Sequence, residues 1–275
     1  MKNFKKLLAV LLAGLMLLSL AACGEKDDGK TKIGVLQMGQ MEGFQSNESH
    51  NKHRQGEVTV KREFVLFSNL SAALMDLESG RIDTIGLEKC TADYVAAHND
   101  KIEVYEDTKE MTIFSMMTLD TNTEVYDILN NAIKAMKEDG TLDNLIENEL
   151  KAYIESDPVA KDLPKFDGAR TIKIGVTGDV PPMDFVAANG QAAGFNIAFL
   201  AEIANRAQVN IELVQIETAS RPMALSSNKV DAVFWTKGAK CPVCGAEDAE
   251  KVEGTLVTES YYSDYFVKIK LKSDK

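Results

Sequence analysis

A twelve-residue phrase occurs twice in this chain. Residues 74–85 read LMDLESGRIDTI, and residues 222–233, which lie 148 positions later, read PMALSSNKVDAV. Each copy predicts an amphipathic helix that stops at Gly80 or Asn228 and is followed by a strand. The repeat therefore indicates one structural unit that the fold uses twice.

Strand-like and helical patterns alternate around both copies. The strand-like runs lie at residues 31–38, 58–67, 82–87, 171–177, 209–216 and 230–235. Alternation at these lengths is typical of parallel sheets with helices packed on their faces. We predict an α/β fold of two lobes that enclose a cleft, each lobe a mainly parallel sheet flanked by helices. Asp83 and Asp231 occupy the same position in the two copies, and we expect both to cap the turn into the following strand.

Polar and proline-bearing segments suggest where the lobes divide. The segment 155–170, ESDPVAKDLPKFDGAR, predicts a linker. It would separate a front lobe at 31–154, closed by helices near 124–137 and after Thr141, from a rear lobe at 171–275. Two further irregular stretches are residues 45–56 and 237–256.

The first 22 residues have the pattern of an export signal. Lys2, Lys5 and Lys6 precede an apolar run at 7–20, which is short for a membrane span. The run ends in LAAC, which resembles the lipobox of bacterial lipoproteins, so the resemblance implies that Cys23 is lipidated. The alternative is an ordinary signal peptide with an incidental cysteine. Residues 23–30 then predict a lipidated cysteine and a polar tether.

Charge narrows the classes of partner. The chain has 42 acidic residues against 31 Lys and Arg, for a net charge of −11 at pH 7. An excess of negative charge argues against nucleic acid or an anionic lipid surface as a partner.

Several segments together resemble one known family. In the rear half, TIKIGVTGDVPPMDF, GFNIAFLAEIANRAQVNIELV and KVDAVFW are similar to the first lobe of family 3 solute-binding proteins, the extracellular receptors of amino-acid ABC transporters. VTESYYSDYFVKI resembles the strand that crosses to the second lobe. In the front half, SGRIDTIGLEKCTADYV and NNAIKAMKEDGTLDNLI resemble the second lobe and the terminal helix.

The order of these segments departs from the family pattern. The half that resembles the second lobe comes first, as in a circular permutation, which compact domains tolerate because their termini often lie close together. We therefore expect the 155–170 linker and a strand at 259–270 to replace the usual pair of crossing strands.

The resemblance and the strand ends suggest ligand-binding residues in the rear half. Ligands of α/β sheets bind beyond the carboxyl ends of strands. Asp179 and Met183 follow the strand at 171–177, and the family usually has an aromatic residue where Met183 stands; the alternative is a loop aspartate and a core methionine. Trp235 and Thr236 end a later strand, where Trp235 either stacks on ligand or packs in the core.

Charged candidates come from both halves. The carboxylate-binding arginine of the family would fall at Val243, so we expect Arg221 to replace it and to clamp a carboxylate; the alternative is a solvent-exposed arginine. Glu88 stands where the family often has an aspartate that pairs with a ligand ammonium. Weaker candidates are Ser68, Asn69 and Gln40.

The cysteines and histidines do not predict a metal or cofactor. Cys241 and Cys244 form a single CxxC without further ligands at zinc spacing, so we expect either a local disulfide or free thiols. Cys90 is expected to be a buried or half-buried free thiol. We expect no cofactor.

Together these features predict a monomeric, lipid-anchored binding protein on the outer face of a bacterial cytoplasmic membrane. It would capture a small polar solute, with an amino acid as the expected class, and deliver it to an ABC transporter permease. Two alternatives remain at this stage. One is a ligand sensor for a signalling partner, and the other is an enzyme similar to cyclohexadienyl dehydratases, with Glu88 as the general acid.

Overall fold

The computed structural model describes residues 30–36, 61–238 and 252–273. The larger strands are β1 (Lys30–Leu36), β2 (Lys61–Phe67), β3 (Thr84–Glu88), β4 (Ile102–Leu119), β5 (Thr171–Val176), β9 (Asn210–Gln215), β10 (Ala232–Gly238) and β12 (Tyr262–Leu271). The short strands are β6 (Asp179–Val180), β7 (Asp184–Val186), β8 (Ala192–Ala193) and β11 (Thr255–Val257).

The helices flank these strands. They are α1 (Leu70–Glu78), α2 (Lys89–His98), α3 (Thr123–Glu138), α4 (Thr141–Leu145), α5 (Phe195–Ala207) and α6 (Arg221–Ser226). A π-helical turn at Ile146–Leu150 and a 3-10 turn at Lys151–Tyr153 extend α4, and a 3-10 turn at Thr218–Ser220 precedes α6. The predicted α/β class is confirmed. Among the described residues, no helix has the length and apolar character needed to cross a membrane.

The sheet has two parallel ends joined by an antiparallel centre. Its strand order is β2-β1-β3-β12-β4-β10-β5-β9, with β11 paired to β4. The β1–β3, β10–β5 and β5–β9 pairs are parallel, whereas β12 pairs antiparallel with both β3 and β4, and β4 pairs antiparallel with β10.

The expectation of one sheet per lobe requires correction, because the larger strands of both lobes belong to this single continuous sheet, while the short strands β6, β7 and β8 form a separate three-stranded sheet. The physical reason is the length of β4, whose 18 residues run through both halves. β12 lies against it for 10 residues. The pair of crossing strands is thus β4 and β12. The predicted strand near 259–270 is β12, whereas its partner is β4 and not the 155–170 linker.

Separate apolar cores define two lobes within that sheet. One core contains residues of β3, α1 and α2 together with Ile102 of β4 and Val267 and Ile269 of β12. We call this part the front lobe. The rear lobe contains the other cores, which include residues of β5, α5 and β10 together with Phe114 and Met116 of β4.

Helices α3 and α4 pack with the rear lobe. Val125, Leu129, Ile133 and Met136 belong to the same buried cluster as Phe195 of α5. The apolar cores therefore do not divide at residues 155–170. That segment follows the rear lobe, where Ala160 bridges Ala193, and touches the front lobe where Tyr94 donates a 2.6 Å hydrogen bond to Asp157.

The repeated phrase forms the same hydrogen-bonded unit in both lobes. The backbone N–H of Asp83 donates to Lys32 O, and Lys32 N–H donates to Asp83 Oδ2 at 2.7 Å. Asp231 makes the same reciprocal pair with Lys173, with both distances at 2.8 Å. Both aspartates thus fasten the turn after a repeat helix to the first strand of their own lobe, as predicted.

Candidate functional site

A cleft of about 460 Å³ lies between the two lobes. Its lining is mostly polar and comes from both sides. The front lobe contributes Ser68, Asn69 and Ser71, and the rear lobe contributes Thr177, Asp179, Gln215, Ile216, Glu217 and Thr218. The volume is within the usual range for small-molecule sites, about 300–1,000 Å³.

Strand ends and a helix start position these groups. The parallel strands β5 and β9 end next to each other, so Thr177 and Gln215 reach the same edge of the sheet. Across the cleft, Asn69 caps α1 and accepts a hydrogen bond from Ala72 N at 2.8 Å. Its side-chain amide donates to Ser68 Oγ at 3.3 Å, which holds both front-lobe side chains in place.

Asp179 connects the lobes directly. Its Oδ2 accepts a hydrogen bond of 3.3 Å from the backbone N–H of Leu70, the first residue of α1. A carboxylate at a helix N-terminus is stabilised by the unpaired N–H groups and the helix dipole. Burial nevertheless raises the pKa of Asp179, while the Leu70 bond, Thr177 and Arg221 act in the opposite direction.

Asp184 fixes the loop that carries Asp179. This buried carboxylate accepts hydrogen bonds from Thr177 N at 2.8 Å, Gly178 N at 3.0 Å and Thr177 Oγ1 at 3.2 Å. Burial raises its pKa, and the donors and Arg221 lower it. The sequence prediction missed Asp184, although it stands next to the selected Met183.

Arg221 is buried, with 7% of its surface exposed, so the solvent-exposed alternative is wrong. Burial lowers its pKa, and the charges of Asp184, Tyr261, Asp179 and Glu88 raise it. The structure thus brings together the predicted Arg221, Asp179 and Glu88. Arg221 is not among the described residues that line the cleft.

Glu88 lies on the front-lobe side of this group, at the end of β3 and directly before α2. It is partly buried, and burial raises its pKa; the charge of Asp264 adds to the rise, and Arg221 opposes it.

Three other predicted residues lie in the packing of the rear lobe. Met183 and Trp235 are buried members of apolar clusters. Thr236 is half-buried on β10 and pairs with Phe114 of β4. None of them is among the described residues that line the cleft, so their environment favours the packing alternative.

Other predictions fall elsewhere. Cys90 is a buried free thiol, as predicted, and its backbone N–H donates to Asp264 Oδ2 at 2.7 Å. The predictions for Cys23, Gln40, Cys241 and Cys244 lie outside the described residues.

The cleft also contains residues that the sequence patterns did not select. Gln215, Glu217 and Thr218 lie directly before α6. The repeat could have identified these three residues, because they precede the second repeat helix as Ser68 and Asn69 precede the first.

The fold and the cleft together define the class: a two-lobed α/β protein with a polar site between its lobes. Residues 172–237 match the family described as bacterial extracellular solute-binding proteins, family 3. This segment runs from β5 to β10 and includes Asp179, Asp184 and Arg221. No curated protein sequence matches the chain.

Solved structures with a similar chain path have low sequence identity. A zinc-bound ligand-binding component of an ABC-type import system from Staphylococcus aureus is 14% identical, with a TM-score of 0.44; the match covers 88% of this chain and 65% of that one. An aliphatic sulphonate binding protein from Escherichia coli is 12% identical, with a TM-score of 0.41 and coverages of 89% and 62%. An ancestral arginine-binding protein bound to arginine is 12% identical, with a TM-score of 0.43 and coverages of 90% and 86%. The chain thus spans about two thirds of the length of the first two proteins.

Proposed function

We propose that this chain is a solute-binding protein that captures a small polar molecule between its lobes. The observation that carries the proposal is the polar cleft lined from both sides, together with the Asp179–Leu70 hydrogen bond that spans it. A ligand that contacts both lobes favours the closed arrangement over an open one, which is how two-domain receptors close by hinge motion.

An amino acid or a closely related amine is the solute class that we propose. The match of residues 172–237 to a family of extracellular solute-binding proteins supports it. In this proposal Asp179 receives an ammonium group. Arg221 compensates the charges of the buried Asp184 and the half-buried Asp179, and it holds their loop in place.

The wider role follows from the same proposal. The protein works by binding and release without covalent chemistry, and it delivers its solute to an ABC transporter permease as a monomer. Lipid at Cys23 holds it on the outer face of the bacterial cytoplasmic membrane, with residues 24–30 as the tether. We also propose that the order of the two lobes along the chain is permuted relative to the family pattern.

Native mass spectrometry of the protein as purified, followed by calorimetric titration with a panel of amino acids, tests the function. We expect a bound small molecule or a one-to-one titration with at least one amino acid. Binding of neutral sugars alone would overturn the solute class, and the absence of binding to any small solute would overturn the function.

A further inference from the structure

The charged side chains among the described residues that line the cleft all have the same sign. Among the described lining residues the ionisable ones are Asp179 and Glu217, and the remainder are neutral. In a cleft between low-dielectric walls, charges of one sign raise the local concentration of the opposite ion. The whole chain also has a net charge of −11, so the long-range field attracts cations as well.

A helix N-terminus that borders the cleft, that of α1, is already occupied by groups of the protein. The N-terminus of α1 would otherwise attract an anion. Asp179 Oδ2 takes the N–H of Leu70, and Asn69 Oδ1 takes that of Ala72. A ligand carboxylate would have to displace a carboxylate of the protein to use this helix end.

The nearby guanidinium is shared among several acids. Arg221 acts on Asp184, Asp179 and Glu88, and the effect of Asp184 on its pKa is larger than that of either other carboxylate. In the part of the chain that the structure describes, Arg221 thus faces three carboxylates, and Asp179 is the one of these three that lines the cleft.

A buried hydroxyl provides an independent indication of a ligand. Thr218 lines the cleft with only 2% of its surface exposed, and its Oγ1 has no hydrogen-bond partner among the described residues. A buried polar atom without a partner is unfavourable, and a hydroxyl oxygen accepts readily from an ammonium or guanidinium N–H.

We propose that the cleft selects solutes that carry a positively charged group, which Asp179 and Glu217 hold by charge and to which Thr218 Oγ1 is an additional acceptor. This inference rests on the proposed function and narrows its ligand to organic cations, including amino acids with a cationic side chain.

A matched ligand series tests the charge preference on the whole protein by calorimetry. Lysine, norleucine and 2-aminoadipate share the amino-acid group and differ in a positive, neutral or negative side-chain end, and cadaverine is lysine without its carboxylate. We expect lysine and cadaverine to bind, norleucine to bind about 10- to 100-fold more weakly than lysine, and 2-aminoadipate to bind most weakly.

Variants locate the effect. Asp179→Asn and Glu217→Gln should each weaken lysine binding, by about tenfold or more for Asp179→Asn, and Thr218→Val should weaken it by a smaller factor. Glu212→Gln is the matched control, because this exposed glutamate on β9 does not line the cleft, and its affinity should equal that of the wild type. Thermal unfolding of each variant establishes that it is folded.

The outcomes separate the inference from the function. Equal or tighter binding of norleucine or 2-aminoadipate would overturn the cation preference and leave the solute-binding function in place. Equal affinity in Asp179→Asn, Glu217→Gln and the wild type would also overturn it. Failure of every small solute to bind would overturn both.

Discussion

At the scale of single residues, Arg221 compensates the negative charge of the acidic groups near the cleft. A buried charge is tolerated in a protein when opposite charges and hydrogen bonds surround it, and removing one partner leaves the others uncompensated. The carboxylates of Asp184, Asp179 and Glu88 all act on this one guanidinium. The side chain therefore has a structural role whatever its role in binding.

We expect Arg221→Met to lower the free energy of unfolding by about 3–5 kcal/mol, because it leaves buried carboxylates without their cation. Urea unfolding of the ligand-free protein measures the change. Arg81→Met is the matched control: Arg81 pairs with Asp76 at 3.2 Å on the surface, and such pairs contribute about 0–1 kcal/mol. Equal stability of the two variants would contradict the compensating role of Arg221.

Gly194 sets the position of the loop that carries the acids. Its φ is +97°, and a Cβ there would lie 2.7 Å from Pro182 O and 2.8 Å from Met183 O. Gly194→Ala should therefore shift the segment before Asp184. We expect it to lower the stability measured by urea unfolding and the ligand affinity measured by calorimetric titration. Gly190→Ala is the control, because Gly190 has a φ of +81° but a Cβ at that position would have no atom within 4 Å. Gly190→Ala should lower the free energy of unfolding only by the cost of a left-handed backbone for alanine, about 1–2 kcal/mol. Ligand affinity should stay unchanged.

At the scale of elements, the repeat is a hydrogen-bonded unit as well as a sequence pattern. In the first copy Ser79 N–H donates to Met75 O, and in the second Ser227 N–H donates to Met223 O. The residue that follows takes a positive φ in both, at Gly80 and at Asn228. The chain thus ends both repeat helices in the same way and then fastens each turn with an aspartate.

Because the two aspartates make the same pair of bonds, Asp83→Ala and Asp231→Ala should destabilise the protein by similar amounts, about 0.5–1.5 kcal/mol each. Asp83→Asn and Asp231→Asn should cost less, since an amide oxygen still accepts the backbone N–H of Lys32 or Lys173. Chemical denaturation measures all four. A large cost in one copy with none in the other would show that the two turns are not equivalent.

The sequence predicted those elements that depend on local pattern. Helix α1, the turn at Gly80 and strand β3 follow from apolar periodicity and a glycine stop, and the same holds for β5 and β9. The continuous sheet could not be predicted in this way. It depends on β12 pairing with β4, whose paired residues lie 148 to 169 positions apart in the sequence, and no local preference encodes such a partner.

In the candidate site, too, the sequence predicted the residues that depend on local pattern and not those that depend on distant partners. Ser68, Asn69 and Asp179 stand at predicted strand ends or a helix start, where α/β proteins bind ligands, and they line the cleft. The burial of Arg221 and the packing of Trp235 depend on tertiary neighbours from β3 and β4. The sequence therefore left open whether Arg221 is a ligand clamp or solvent-exposed, and whether Trp235 stacks on ligand or packs in the core.

At the scale of the whole molecule, the proposed lipid at Cys23 would determine where the protein resides. If Cys23 is lipidated, two or more acyl chains anchor the protein stably. We expect Cys23→Ser to move it from the membrane to the soluble fraction in the parent bacterium, as fractionation and immunoblotting would detect. Ser19→Ala, upstream of the LAAC sequence, is the control and should leave it membrane-bound. Persistent membrane association of the Cys23→Ser protein would rule out the lipid anchor.

We also expect three acids near Arg221 to give the whole molecule an unusual pH dependence. Burial raises the pKa of Glu88, Asp179 and Asp184, with Arg221 opposing the rise in each and Asp264 adding to that of Glu88. A carboxyl group with a raised pKa in the folded state binds its proton more tightly there than in the unfolded chain. Its contribution to stability is therefore full below the unfolded pKa of about 4 and is lost as the pH rises through the folded pKa. Asp139 has the opposite sign, because hydrogen bonds from Thr141 and Arg206 lower its pKa to about 2, so its contribution is lost only in stronger acid.

We therefore expect the ligand-free protein to unfold at a higher temperature near about pH 5 than near about pH 7.5, and to lose stability again below about pH 4. Cation binding should show the reverse trend, because a positive group needs Asp179 ionised, so lysine affinity should fall over the interval in which Tm rises. Scanning calorimetry and titration across this range measure both. Asp179→Asn should reduce both pH effects, whereas Glu212→Gln should preserve them, since Glu212 is exposed on β9. A Tm that falls steadily from pH 7.5 to pH 5 would contradict the raised pKa of these three carboxyl groups in the folded protein.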